Sequence, residues 1–154
     1  MTQRLDYEAH ARNGMKALGG VYQYVQNSGL PKTLVDLAYL RASQINGCAY
    51  CVDLHSRDLR KAGMADEMLM LVPVWREAEG WFTERERAAL AWTEAVTLVA
   101  VDHIPDAAFA AARAAFSEKE LADLTIAIGL INTYNRIAIG FRRGPTPPGA
   151  TQAA

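Results

Sequence analysis

The sequence predicts an all-α fold, a bundle of about seven helices in a single domain. Apolar residues recur every three or four positions along most of the chain, and no stretch alternates apolar and polar residues as a β-strand does. Two capping boxes, Thr83–Glu86 and Ser117–Glu120, mark helix starts because their side chains satisfy the first helical amides reciprocally. A chain of 154 residues that is 51% hydrophobic and 21% charged can bury a core of its own.

Each predicted helix has a start or a stop signal. The first is expected from Asp6 to about Ser28, with a break at Gly14, Gly19 or Gly20 because glycine weakens a helix. The next five are predicted over residues 32–44, from Cys48 to Gly63, over 65–74, from Thr83 until the stop at 102–105, and over 106–116 with Asp106 as its cap. The longest follows Ser117 and turns an apolar stripe towards the core: Leu121, Leu124, Ile128, Ile131, Tyr134 and Ile139. These helices form one domain, residues 1–143, and the proline-containing residues 144–154 are expected to be a loose tail.

The helix that is predicted to begin at Cys48 carries both cysteines of the chain. The Asn46-Gly47 turn is expected to provide its N-cap. At about 100° per residue, Cys48, Cys51 and His55 share one face of this helix. Cys48 lies in the first turn, where free backbone N–H groups and the positive end of the helix dipole favour a thiolate. The pattern is therefore a dithiol with an acid–base group beside it.

This arrangement suits peroxide reduction, in which one thiolate attacks the O–O bond and the second thiol condenses with the resulting sulfenic acid. Three other interpretations stay open at this stage. A zinc site would need a fourth ligand beside Cys48, Cys51 and His55, and either Asp36 or His103 would have to supply it. The cysteines can also be small buried apolar residues, or form a stable structural disulfide.

Composition limits the classes of partner. The formal net charge is −1 and no cluster of lysines or arginines stands out, so we expect neither nucleic-acid nor membrane binding. The N-terminus lacks the apolar core of a signal peptide, which favours a cytoplasmic location where thiols stay reduced. No glycine-rich phosphate loop is present, so no organic cofactor is expected, and no metal is assigned.

The segment from Asp36 to His55 closely resembles the active-site signature of the alkylhydroperoxidase AhpD-like, carboxymuconolactone decarboxylase superfamily. In that signature an acidic residue is followed, after eleven residues, by C-x-x-C-x-x-x-H, which falls here on Asp36, Cys48, Cys51 and His55. Later segments also resemble the superfamily, namely 82–97, 103–106 and 131–136. The resemblance covers most of the chain from about Leu30 to Phe141.

The resemblance implies an all-helical homo-oligomer, commonly a trimer or hexamer, with thiol-dependent peroxidase activity. It implies that Cys51 attacks the hydroperoxide, that Cys48 resolves the sulfenic acid, and that Asp36 and His55 relay protons. A reducing dithiol protein or a small thiol would then restore the pair. Two departures stand out: Asp36 replaces the usual glutamate and reaches about 1.5 Å less far, and Tyr50 replaces a histidine found just before the second cysteine in well-studied peroxidases.

These departures keep two other functions open. One is thiol–disulfide exchange without strong peroxidase activity, and the other is a lyase of the decarboxylase type that uses His55 or His103 on a lactone. The decarboxylase branch generally lacks the paired cysteines, which favours the redox side. Tyr50, Gln44, His103 and Glu94 are further candidates for the surroundings of the site, although a helix cap is expected for His103 and an arginine partner across an interface for Glu94. Asn132, Asn135 and Arg136 are expected to form a buried hydrogen-bond network or a subunit contact.

Overall fold

A computed structural model describes residues 2–147. Within that range the chain is all-helical, with nine α-helices, one 3-10 turn at Val72–Val74 and no β-strand. The helices are α1 (Tyr7–His10), α2 (Arg12–Gln26), α3 (Lys32–Asn46), α4 (Ala49–Lys61), α5 (Asp66–Leu71), α6 (Glu84–Thr97), α7 (Val99–Asp102), α8 (Asp106–Ala115) and α9 (Glu118–Phe141).

Helix α3 is the centre of the bundle and packs against α4, α6 and α9. Every residue from Leu34 to Leu40 is buried, so this helix is enclosed on all sides. One apolar cluster joins α3 to α9 and includes Leu124, Ile128 and Ile131. A second cluster fills the opposite side, between α3, α4, the 3-10 turn and α6. Asp36 and His55 therefore lie between helices that are packed on both sides.

Both capping boxes are present as predicted. Thr83 and Ser117 each accept a hydrogen bond from the amide three residues on, and Glu86 and Glu120 each accept one from the cap amide. Gly63 follows α4 with a φ of 95°, a conformation that favours glycine and ends the helix where expected.

Two predicted helices are each divided in two, which turns seven into nine. The first breaks at Ala11, where the backbone leaves the helical region, and not at the glycines. Asp6 caps the short α1, while Gly14, Gly19 and Gly20 continue α2, which packs on α9. Packing thus outweighs the weak helix propensity of glycine. The helix after Thr83 also breaks, at Leu98.

Two details of the predicted elements are wrong. Asp106 is the first residue of α8 and makes no capping bond, because Pro105 takes the N-cap position. Ile139 is 47% exposed. Ala138 is the buried residue of that turn, because the inward face of α9 has rotated away from Ile139 by then. The expected tail lies only partly within the described range: residues 144–147 form no helix, and residues 148–154 lie outside it.

Candidate active site

A tight turn between α3 and α4 brings the two cysteines to the start of a helix. Gly47 ends α3 with a φ of 71°, in the left-handed region that glycine adopts without strain. The amide of Cys48 donates to the carbonyl of Ser43 at 2.9 Å, which closes the turn. The N-cap of α4 is therefore Cys48 itself, and not Asn46 or Gly47 as predicted.

The two thiols lie in direct contact. The Sγ atoms of Cys48 and Cys51 are 2.7 Å apart, and both cysteines are free. Cys48 is 1% exposed and Cys51 is 3% exposed, so a large partner cannot reach either sulfur directly in this conformation. The spacing and the shared helix face are those that the sequence predicts.

The surroundings of the two thiols shift their pKa values in opposite directions. A hydrogen bond from the Cys51 thiol is the main influence that lowers the pKa of Cys48 to about 7; the backbone amides of Cys51 and Tyr50 and the Asn135 side chain also lower it, against the effect of burial. The same bond to Cys48, together with burial, raises the pKa of Cys51. The first proton therefore leaves from Cys48, and the second stays on Cys51.

Asp36 and His55 face each other across the α3–α4 contact. Oδ1 of Asp36 lies 3.7 Å from Nδ1 of His55, while Oδ2 accepts a hydrogen bond of 2.5 Å from Lys32. Burial acts to raise the pKa of Asp36, but His55 and Lys32 outweigh it and hold that pKa below its ordinary value. Asp36 is thus a buried carboxylate beside the imidazole.

A cavity of about 410 Å³ borders Cys51 and His55. Five of the six tyrosines of the chain line it: Tyr7, Tyr22, Tyr39, Tyr50 and Tyr134. Cys48 does not line it, so the two thiols differ in access. Within residues 2–147, the Tyr39 hydroxyl and Nδ1 of His55 are both buried without a hydrogen-bond partner, and the ring centroids of these two residues are 5.0 Å apart. Burial raises the pKa of Tyr39, so its hydroxyl stays a donor.

The other predicted residues are spread over the structure. Tyr50 lines the cavity next to Cys51. Gln44 lies in the last turn of α3, and its buried Oε1 has no hydrogen-bond partner in the part of the chain that the structure describes. His103 is exposed at the end of α7, away from the cavity lining. Glu94 contacts neither thiol: it accepts hydrogen bonds from Arg41 at 2.8 Å and from Trp75 at 2.9 Å, and also pairs with Arg76, all within one chain.

Sequence reasoning did not assign three groups to the site. Asn135 is fully buried behind the thiols, accepts from Asn46 at 2.9 Å and donates to Ser43 at 3.0 Å. Its place on an otherwise apolar helix is the signal that marked it as part of a network. Tyr39 and Arg143 carry no such signal, because only the packing of α1, α3 and α9 brings them to the cavity.

The structure also allows a test of the metal hypothesis. Among the described residues, the ligand atoms of Asp36, His55 and Asp58 lie within 4.8 Å of one another. Neither cysteine belongs to this group, so it is not the predicted zinc set, and the ammonium group of Lys32 already neutralises Asp36.

Within the described range, no helix combines the length and the apolar character that crossing a membrane requires.

Comparisons with known proteins agree with this geometry. The model of the carboxymuconolactone decarboxylase family matches residues 10–95. The uncharacterised protein YdfG of Bacillus subtilis is 34% identical over 139 residues, which cover 90% of this chain and 94% of YdfG. The alkyl hydroperoxide reductase AhpD of Nocardia farcinica is 35% identical over 65 residues, 36% of each chain.

A solved structure extends the match to the whole fold. A protein of unknown function from Agrobacterium tumefaciens, suggested to be an antioxidant-defence protein AhpD, superposes with a TM-score of 0.90 at 45% identity. The match covers 94% of this chain and 99% of that one. The helical fold, the cysteine signature and these matches together show that the chain belongs to the carboxymuconolactone decarboxylase family, within the AhpD-like superfamily.

Proposed function

We propose that the protein is a thiol-dependent peroxidase that reduces hydroperoxides while Cys48 and Cys51 cycle between dithiol and disulfide. One observation carries the proposal: Cys51 borders the cavity together with His55, and the sulfur of Cys48 lies 2.7 Å behind it, outside the cavity lining. A hydroperoxide in the cavity therefore meets Cys51 first. The relatives named alkyl hydroperoxide reductase support the same assignment.

The first step oxidises Cys51. Its sulfur attacks one oxygen of ROOH, the O–O bond breaks, and the products are Cys51–SOH and the alkoxide RO⁻, which takes up a proton to become ROH. The thiolate of Cys48 lies in hydrogen-bond contact with the Cys51 thiol and accepts its proton as the attack proceeds. The lowered pKa of Cys48 thus serves the attack by Cys51, because it makes Cys48 a base.

The second step forms the disulfide. Cys48 attacks the sulfur of Cys51–SOH, an S–S bond forms, and the hydroxyl group leaves with the Cys48 proton as water. Together the two steps consume ROOH and one further proton, and release ROH and water. An external dithiol protein or small thiol then returns both electrons by thiol–disulfide exchange.

His55 and Asp36 manage the remaining proton. His55 lines the cavity and is placed to donate a proton to the departing alkoxide, while the buried carboxylate of Asp36 lies 3.7 Å from Nδ1 across the α3–α4 contact. Tyr50 can donate a hydrogen bond from its hydroxyl but is a poor base.

We also propose a cytoplasmic location and a homo-oligomer formed through exposed apolar side chains such as Val101 and Phe109.

The test is the intact mass of the alkylated protein, before and after one equivalent of an organic hydroperoxide. We expect two alkylatable thiols to become none, with a mass loss of about two hydrogens in the unalkylated chain. Two thiols that stay alkylatable while the peroxide persists would rule the proposal out. Thiol–disulfide exchange and lactone cleavage would then be tested, and only the latter would survive replacement of both cysteines.

A further inference from the structure

An arginine just beyond the end of α9 borders the thiol cavity. Arg142 adopts a left-handed conformation with a φ of 58° and ends the helix, and the amide of Arg143 then donates to the carbonyl of Ala138 at 2.9 Å. This turn directs the chain back towards α1. The Arg143 side chain lines the same cavity as Cys51 and is about one-third exposed.

Three contacts fix the guanidinium group of Arg143. It lies over the face of Tyr50, with its central carbon 4.4 Å from the ring centroid. Nη1 donates to the Tyr7 hydroxyl at 2.7 Å and to Oε1 of Glu8 at 2.5 Å. Two of these partners come from α1, so the N-terminal helix holds the cation against the residue that directly precedes Cys51.

The position of Tyr50 gives this contact its meaning. The resemblance implies a histidine here in well-studied peroxidases, and a histidine can carry a positive charge whereas a tyrosine cannot. Within the part of the chain that the structure describes, Arg143 is the one permanently cationic side chain that lines the cavity. The other titratable groups that line it are Tyr7, Glu8, Tyr22, Tyr39, Tyr50, Cys51, His55, Asp58 and Tyr134, and Asp36 and Cys48 lie directly behind them.

We propose that Arg143 is a positioning residue of the thiol site, which stabilises negative charge on Cys51 from across the Tyr50 ring. The proposal rests on the proposed function in one respect, that Cys51 is the attacking thiol. Although the hydrogen bond to Cys48 and burial raise the pKa of Cys51 overall, Arg143 acts in the opposite direction. Its charge matters most when the Cys51 proton moves to Cys48.

Glu8 carries a negative charge beside Arg143 and therefore allows the effect of charge on Cys51 to be tested in both directions. Its carboxylate pairs with Arg143 and also lines the cavity, so it partly cancels the positive charge that Cys51 experiences. Removal of Arg143 and removal of Glu8 should therefore act on Cys51 in opposite directions. A purely structural role, in which the ion pair fastens α1 to the end of α9, predicts that both changes act in the same direction.

The experiment measures the rate at which iodoacetamide alkylates Cys51, as a function of pH, in a Cys48→Ser background where Cys51 is the one cysteine. We expect Arg143→Gln to slow alkylation at neutral pH by about three- to tenfold and to move the pH midpoint upwards. We expect Glu8→Gln to speed alkylation and to move the midpoint downwards. Arg143→Lys should keep the alkylation rate close to that of the Cys48→Ser background alone, because lysine keeps the positive charge.

Arg142→Gln is the matched control, since it removes the same charge from the exposed neighbouring residue. Equal rates for Arg143→Gln and Arg142→Gln would overturn the proposal, and so would slowing by both Arg143→Gln and Glu8→Gln. Alkylation needs no peroxide, so this test separates the two proposals. If the charge pattern appears but no hydroperoxide is consumed, the proposed function fails and the role of Arg143 towards Cys51 stands.

Discussion

Oδ1 of Asp36 lies 3.7 Å from Nδ1 of His55, which is too long for a hydrogen bond and short enough for strong electrostatic contact. Both side chains are buried, and Nδ1 of the imidazole has no hydrogen-bond partner among the described residues. The shorter acid at this position thus leaves a gap, as the comparison of aspartate with glutamate suggests. The gap can be tested by lengthening the acid.

Asp36→Glu should bring the carboxylate into hydrogen-bond distance of His55 and increase the rate of peroxide-driven thiol loss by about threefold or more. Asp36→Asn, which keeps the size and removes the charge, should decrease that rate. Stopped-flow measurement of thiol loss checks both. The extra methylene is expected to cost about 1–3 kcal/mol of stability at this buried position, so urea unfolding must show that the variant is folded. A folded Asp36→Glu variant no faster than the wild type would contradict the role of the gap.

Replacement of each cysteine should have a different result. Cys51→Ser should abolish hydroperoxide consumption, because Cys51 is the thiol that borders the cavity. Cys48→Ser should allow one slow turnover and leave a sulfenic acid on Cys51 that dimedone traps. Mass spectrometry of the trapped protein checks this. A dimedone adduct on Cys48 in the Cys51→Ser variant would reverse the two roles.

The unpartnered hydroxyl of Tyr39 predicts an unusual pair of results. Tyr39→Phe should not lower the free energy of unfolding, since no hydrogen bond is lost. It should nevertheless slow peroxide reduction if the hydroxyl binds the substrate oxygen. The matched control is Tyr24→Phe, outside the cavity, whose hydroxyl donates to Asp123 at 2.6 Å and whose loss should lower stability without slowing turnover. Urea unfolding and steady-state kinetics of both variants decide the matter, and a marked loss of stability in Tyr39→Phe would contradict it.

Asn135 should couple the stability of the bundle to the acidity of the thiols. Asn135→Ala leaves the buried Ser43 hydroxyl without its amide donor and removes one of the two hydrogen bonds that the Asn46 amide donates. It should therefore cost about 1–3 kcal/mol of unfolding free energy. It should also raise the pKa of Cys48 above about 7, because the amide contributes to lowering it. The thiolate absorbance, followed through a pH titration, measures the second effect. Thr133→Ala is the control and should change neither quantity, because the half-buried Thr133 hydroxyl makes only a solvent-exposed hydrogen bond to the carbonyl of Gly129 on its own helix.

Acid should weaken the fold partly through Asp123. Burial acts to raise the pKa of this carboxyl, but hydrogen bonds from Lys119 and Tyr24 outweigh it and lower the pKa. A carboxyl with a lowered pKa in the folded state stabilises the protein above its unfolded pKa, near 3.9, and loses that contribution as the pH falls through the folded value. The urea midpoint of Asp123→Asn should therefore depend less on pH below about 5 than that of the wild type. Asp66→Asn, at an exposed ion pair, should leave the pH dependence unchanged.

The sequence was most informative where a local signal has a local cause. Capping boxes, the glycine after α4 and the spacing of Cys48, Cys51 and His55 each depend on a few neighbouring residues, and the structure contains all of them. Breaks inside helices were harder to predict. The residues at which the helices break, Ala11 and Leu98, are not typical helix breakers. The glycines of α2 are, but they remain helical because α2 packs on α9.

The surroundings of the site depend on contacts between distant parts of the chain. Arg143 reaches the cavity because α9 ends beside α1, and Glu94 finds Arg41 and Arg76 within its own chain rather than across an interface. Neither contact follows from periodicity. His103 shows the converse: its place beside a helix stop predicts a helix cap, and the structure has it as the exposed C-cap of α7, with its amide donating to the carbonyl of Val99.

The short turn at Gly47 determines how the four proposed site residues are placed relative to one another. Asp36 lies in α3, Cys51 and His55 lie in α4, and Cys48 is the N-cap of α4. Only Gly47 and Cys48 separate the two helices. One residue inserted there would rotate α4 by about 100° and carry both sulfurs and the imidazole away from the acid and the cavity together. One short loop therefore sets the alignment of four side chains, and the α3–α4 hairpin is the smallest piece of this chain that a designer would transfer to another helical bundle.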